Sequence, residues 1–312
     1  MNWIEPKRLA PGMTIGIMAP ASASDEDLHK IEEICASKGY KVFWGDSVHR
    51  KGLYGGTPEE QATEFQYMMT TAPCDAVLAV RGGYGTMRYL EQLDYTAIRK
   101  YRKAFIGYSD CTALHMAINR YSRLITYHGP MGVDFKPERK ADIDALFNTV
   151  EGKLQVIEPL PEPPRGAIGT DLGDGVLRGG NMTMLSMLLG TPYFLEDESW
   201  EDTLLFIEDV GEAPYKLDRM LQQFRLSGLL SRIKGLVLGT FTNCEGDEDE
   251  VDYDLGYEAL RYMEENRNSE LPEPFVCYVP TGHGSPHQTL PLGATISFRY
   301  ISNTIIVHPY TK

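Results

Sequence analysis

The sequence predicts an α/β protein: an N-terminal domain on an open parallel sheet of the Rossmann or flavodoxin-like kind, then a second α/β domain ending in a β-hairpin. Three observations predict it. Short apolar, β-prone runs alternate with helix-periodic segments through about residue 150, the alternation that builds a parallel sheet covered by helices. The proline-rich stretch "IEPLPEPPRGAIG" then favours an extended, semi-rigid connection over any helix. The closing "ATISFRYISNTIIVHP" alternates on both sides of Ser302 and Asn303, as a terminal hairpin does. The expected division is residues 1–150 as the first domain, 151–170 as a linker and 171–312 as the second domain.

In chain order, "MTIGIMAP" reads as a buried first strand leading into a loop. Ser24 is expected to cap a helix in "SDEDLHKIEEICASKG", where Leu28, Ile31, Ile34 and Cys35 share a face and Gly39 follows the end. The strand "YKVFWG" comes next. Thr57, Pro58 and Glu60 combine an N-cap, a first-turn proline and a capping-box acid, so a second helix begins there. "DAVLAV" is a short buried strand, followed by a helix over 85–92, a strand over 103–108, a helix over 110–120 and the strand "LITYHG". In the second domain a helix over 182–189 follows "RGGN". After it come the strand "TLLFIED", the amphipathic helix "PYKLDRMLQQFRLSG", the strand "GLVLGT", a solvated acidic loop "CEGDEDEVDYD", another helix and the strand "FVCYVP".

With 42% hydrophobic and 24% charged residues, the composition is that of an ordinary folded protein. The net charge of -14 repels phosphate backbones and anionic lipid, which argues against nucleic acid and membrane surfaces as partners. The five cysteines are scattered with no C-x-x-C pair, which fits a reducing cytoplasm better than a disulfide framework or a zinc site. Lys7 and Arg8 before "LAPGMTIGIMAPASAS" imitate a signal segment, but Pro11, Gly12 and Gly16 interrupt it. No apolar run reaches membrane-spanning length.

The stretch "FIGYSDCTAL" (105–114) passes from an apolar strand into a helix, with Ser109 at the pivot. A sharp strand-to-helix turn exposes a hydroxyl, and the helix N-terminus aims backbone N–H groups, Asp110 first, at a developing oxyanion. Ser109 or Asp110 also reads as a plain helix cap. A nucleophilic serine needs a base, and among the seven histidines His128 and His283 each follow an apolar strand and adjoin glycine. His115 lies along the helix that Ser109 would start, pointing away from the turn, and counts as structural. "LLFIEDVGE" supplies a carboxylate to orient the imidazole, either Glu208 or Asp209, since strand neighbours face opposite ways. "RGGYGTMRYL" places a glycine pair after a strand; it matches neither phosphate-loop pattern, so a second oxyanion N–H is its preferred role.

Taken together, "RGGYG", "FIGYSDCTAL", "YHGPM", "LRGGNMTML", "LLFIEDVGEAPYKLDRML", "GLVLGTF" and "TGHGSPHQTLPLG", in this order, resemble the LD-carboxypeptidase family of serine peptidases, to which the microcin C immunity peptidases are related. The resemblance implies Ser109 as nucleophile, Glu208 as the orienting acid and His283 as the base, with His287 in reserve. It implies an oxyanion held by the N–H groups of Asp110 and Gly83, or Gly82 in its place. His128 becomes a wall of the cleft, while Arg81, Tyr84 and Arg178 are candidate substrate contacts. The implied reaction releases the terminal D-alanine of a murein tetrapeptide, with no metal or organic cofactor and with a homodimer by analogy. The alternatives are an immunity-type peptidase acting on peptidyl-nucleotides and a non-catalytic α/β protein that binds a ligand at the glycine loops.

Overall fold

The computed structural model describes residues 2–24, 28–153, 155–157, 165–166, 171–194, 200–246, 253–265, 267, 269–301 and 304–309. The chain divides into two units: Met1–Lys153 with Thr289–Gly293, and Leu154–Gln288 with Ala294–Lys312.

In the first unit the elements are β1 (Thr14–Met18), α1 (His29–Ser37), β2 (Lys41–Trp44), α2 (Pro58–Met69), β3 (Ala76–Ala79), α3 (Tyr95–Tyr101), β4 (Ala104–Gly107), α4 (Thr112–Ser122), β5 (Thr126–His128) and α5 (Lys140–Val150). Strands β1 to β5 run parallel in the order 2-1-3-4-5, the flavodoxin-like arrangement. A sixth strand from far along the chain, Leu290–Leu292 (β12 in chain order), pairs antiparallel with β5 and sets Leu290 opposite His128. Strands covered on both faces are near-continuous apolar runs, and Ile15, Ile17, Leu78 and Ile106 pack with Ile31 and Cys35 of α1 and Ile143, Leu146 and Phe147 of α5. Phe65 of α2 meets Phe105 of β4 edge-on, with ring centroids 5.2 Å apart. Burial of each such side chain stabilises the fold by roughly 1.5–3 kcal/mol.

The second unit holds β6 (Gln155–Ile157), β7 (Arg165–Gly166), β8 (Asp171–Asn181), α6 (Met182–Leu188), β9 (Thr203–Val210), α7 (Pro214–Leu226), β10 (Gly235–Thr242), α8 (Leu255–Glu264), β11 (Phe275–Tyr278), β13 (Thr295–Ile301) and β14 (Thr304–Pro309). Its sheet runs β6-β14-β13-β8-β9-β10-β11-β7. Strands β8 to β11 are parallel, and the flanking pairs are antiparallel. β13 and β14 form the terminal hairpin, with Ile301 opposite Thr304; its turn, Ser302 and Asn303, lies outside the described residues.

Several expectations change. The helix over 85–92 is instead two 3-10 turns, Thr86–Arg88 and Leu90–Gln92, because Gly85 takes φ +127° and starts no α-helix. α1 begins at His29 with Leu28 at its N-cap, so Ser24 is not its cap, and residues 25–27 of the expected first turn lie outside the described residues. The 151–170 stretch contributes β6 and β7 to opposite edges of the second sheet. The prolines 159–164 and the core of the acidic loop, 247–252, lie outside the described residues. The capping box of α2 forms as read: Glu60 N–H donates to Thr57 Oγ1 at 3.2 Å and Thr57 N–H to Glu60 Oε2 at 2.8 Å.

Candidate active site

The first unit presents its chemistry at the carboxyl ends of β1, β3 and β4, the edge where open parallel sheets bind ligands. β4 ends at Gly107, and Ser109 sits two residues on with φ +61°. A left-handed serine costs about 1–3 kcal/mol and marks the sharp strand-to-helix turn that raises a nucleophile above a sheet. The backbone then enters a 3-10 turn and α4, so the Asp110 amide belongs to the start of a helix. Gly82 packs directly against this turn: a Cβ on it would lie 2.7 Å from Ser109 Cβ and 2.9 Å from Ser109 Oγ. No other residue fits there. Gly83, with φ +104°, faces Ser22. Among the described residues the amides of Gly83 and Asp110 have no acceptor.

Asp110 is 5% exposed, and burial pushes its carboxyl pKa up against hydrogen bonds from Thr86 that lower it. His115 is fully buried, and its Nε2–H donates to Gly107 O at 2.9 Å. Its ring thus reaches back toward the turn, contrary to the direction expected from sequence, because helical side chains tilt toward the N-terminus. Burial pushes its pKa down to about 4, so it is neutral at physiological pH and serves as a strut. His128 is buried on β5, its ring centroid 5.8 Å from that of Tyr108. On the glycine loop Arg81 is half-buried and Tyr84 exposed.

The second unit brings Glu208 and His283 together. Glu208, on the buried strand β9, is fully covered, and its Oε2 accepts from His283 Nδ1–H at 2.8 Å, while the ring is 16% exposed. That bond places the Nδ1 proton on the acid and sets the orientation of the ring. Burial pushes the Glu208 pKa up, and the neighbouring imidazole pulls it back only in part. Gly282 has φ +142°, and a Cβ there would stand 2.5 Å from Thr240 Oγ1 and 2.9 Å from Glu208 Oε2, so glycine lets the loop carry His283 onto the acid. The loop is closed at its base, where Gln288 N–H donates to Pro280 O at 3.0 Å and Thr240 N–H to Thr281 O at 2.7 Å.

Asp209, the rival acid, faces the other way and holds the start of α6: it accepts from Thr183 N–H, Thr183 Oγ1–H and Asn181 Nδ2–H, each at 2.8 Å. His287 is buried in the same loop, and it is His283 whose Nδ1 bonds Glu208. Arg178 is 7% exposed, with its guanidinium 5.3 Å from the Trp200 ring centroid, an interior rather than a surface residue. Ser109 belongs to the first unit, and Glu208 and His283 to the second. Sequence reasoning missed Ser22 and Thr86, which grip the glycine loop. The signal available was the run of small residues "APASAS" directly after the first strand.

The N-terminal domain model of the LD-carboxypeptidases matches residues 15–129, and the C-terminal domain model matches residues 174–298. A probable murein peptide carboxypeptidase of Bacillus subtilis is 33% identical over 97% of this chain and 94% of its own. The crystal structure of muramoyltetrapeptide carboxypeptidase from Oxalobacter formigenes is similar at TM-score 0.80 and 30% identity, covering 96% of this chain and all of that one. The structure of MccF in complex with glutamyl sulfamoyl guanosine shares the fold, at TM-score 0.84 and 22% identity over 98% of both chains. These likenesses define the class, a serine-type peptide hydrolase that acts as a carboxypeptidase. The chain belongs to the LD-carboxypeptidase family.

Proposed function

We propose that this carboxypeptidase releases the terminal D-alanine of murein tetrapeptides, cutting the amide between the L-centre of the diamino acid and the D-residue, as a step in peptidoglycan recycling. The observation that carries the reading is the buried Glu208–His283 pair, bonded at 2.8 Å through Nδ1 so that the acid orients the imidazole. Ser109 Oγ attacks the carbonyl carbon while His283 Nε2 takes its proton, and Glu208 steadies the imidazolium. The oxyanion of the tetrahedral intermediate accepts from the Gly83 and Asp110 amides. Collapse breaks the C–N bond, and His283 returns the proton to the leaving amine of D-alanine. Water, giving a proton to the same nitrogen, then attacks the acyl carbon, and the C–O bond to Ser109 breaks as the imidazolium passes that proton to Ser109 Oγ.

Arg81 is the proposed counter-ion for the anionic peptide, with Tyr84 and His128 as further contacts. A homodimer and a cytoplasmic location belong to the same proposal. Support comes from the murein peptide carboxypeptidases that the chain resembles. The test is mass spectrometry of a murein tetrapeptide incubated with the wild type and with Ser109→Ala. Loss of one D-alanine with the wild type alone supports the reading. Intact peptide with both overturns it, and directs the search to peptidyl-nucleotides, MccF having been solved in complex with glutamyl sulfamoyl guanosine.

A further inference from the structure

The glycine loop is gripped at both ends, each time by a pair of hydrogen bonds. At one end Ser22 N–H donates to Gly82 O at 3.2 Å while Ser22 Oγ accepts from Tyr84 N–H at 3.0 Å. At the other, Thr86 N–H donates to Asp110 Oδ2 at 2.9 Å while Thr86 Oγ1–H donates to Asp110 O at 2.7 Å. Ser22, Thr86 and Asp110 are buried, at 6%, 0% and 5% exposure. Ser22 is itself braced from α2 and beyond: Gln61 Nε2 donates to Pro20 O and Ala21 O, both at 2.9 Å, and Tyr89 Oη–H donates to Pro20 O at 2.8 Å. Between the grips, Gly83 keeps its amide without an acceptor.

We propose that Ser22 and Thr86 are positioning residues for the oxyanion pocket: Ser22, through its own amide and its hydroxyl, fixes the peptide planes on either side of Gly83, and the Thr86 hydroxyl ties the loop to the Ser109 turn through Asp110 O, so that the Gly83 and Asp110 amides converge on one point. The inference rests on the proposed serine mechanism. Its physical basis is that an oxyanion donor acts only where the anion forms, within hydrogen-bond reach, and that a displacement of about 1 Å costs about 10²-fold in rate. Neither hydroxyl meets the reacting atoms. Each works by removing the freedom of a glycine-rich segment that is otherwise loose.

The test compares Ser22→Ala, Thr86→Val and Thr86→Ser with the wild type in murein tetrapeptide turnover, in the rate of Ser109 phosphonylation by a fluorophosphonate, and in Tm. Ser22→Ala and Thr86→Val should each lower kcat about 10- to 100-fold with KM within about threefold. They should slow phosphonylation in parallel, because its P–O⁻ develops in the same pocket, and Thr86→Ser should recover most of both. Unchanged kcat and labelling in Ser22→Ala and Thr86→Val overturn the inference. So does a loss that follows Tm alone and is equal in Thr86→Ser. A wild type that neither turns over the peptide nor labels at Ser109 overturns the mechanism beneath it instead, so the two failures are distinguishable.

Discussion

Glu208 and Asp209 are adjacent on β9 and turn to opposite faces, one toward His283 and the other toward the start of α6. Because burial holds the Glu208 pKa above its unfolded value, the native state keeps that proton longer as pH rises, and the stability it contributes is lost as pH climbs through the raised pKa. Glu208→Gln should lower kcat by about 10⁴-fold through loss of imidazole orientation, and thermal melts should show a smaller fall of Tm with rising pH than the wild type. Asp209→Ala should lower stability by about 2–4 kcal/mol, because Asn181 and Thr183 at the start of α6 lose their shared acceptor. His115 has the reverse linkage. With its pKa lowered from 6.5 to about 4, the stability it supplies is complete above pH 6.5 and is lost as pH falls toward 4, about 3 kcal/mol in all. Chemical denaturation across that range should show a flatter acid limb in His115→Gln than in the wild type.

At the scale of elements, the turns around the sheet edge set the chemistry, and the helices carry the stability. Gly82→Ala should abolish turnover, since the added Cβ would stand 2.7 Å from that of Ser109, yet the helices should be intact by circular dichroism. Thr57→Ala, which removes half of the α2 capping box, should cost about 1 kcal/mol and leave kcat untouched. Capping chemistry was legible because its partners are three residues apart. The helix expected over 85–92 was not, because apolar spacing alone does not register a positive φ at Gly85. β8 was also passed over: Gly173, Gly175, Gly179 and Gly180 hide a strand whose partners, β9 and β13, are distant in the chain.

For the whole molecule, the chain's return through Leu290–Leu292 completes the first sheet. A fragment of residues 1–153 would lack that strand and expose the β5 edge, an unpaired ladder of the kind that aggregates. Size-exclusion chromatography should find the fragment associated, and joining 289–293 to its end through a flexible linker should restore a monodisperse species. The opposite outcome, a monodisperse fragment with native circular dichroism, would show that β12 is dispensable to the sheet.

Local patterns determined the α/β class and the order of most strands and helices, and marked the serine, acid and histidine candidates for the proposed chemistry, since each depends on neighbours within a few positions. Ser109 was legible as a strand-to-helix pivot for that reason. The choice of Glu208 over Asp209 as His283's partner was not legible from alternation alone; it follows from which face of β9 meets the 280–288 loop. Tertiary structure alone decided that pairing, the grip of Ser22 and Thr86 on the glycine loop, and the addition of β12 to the first sheet. Each joins residues far apart in the chain, where direction and distance are set by packing rather than by sequence spacing.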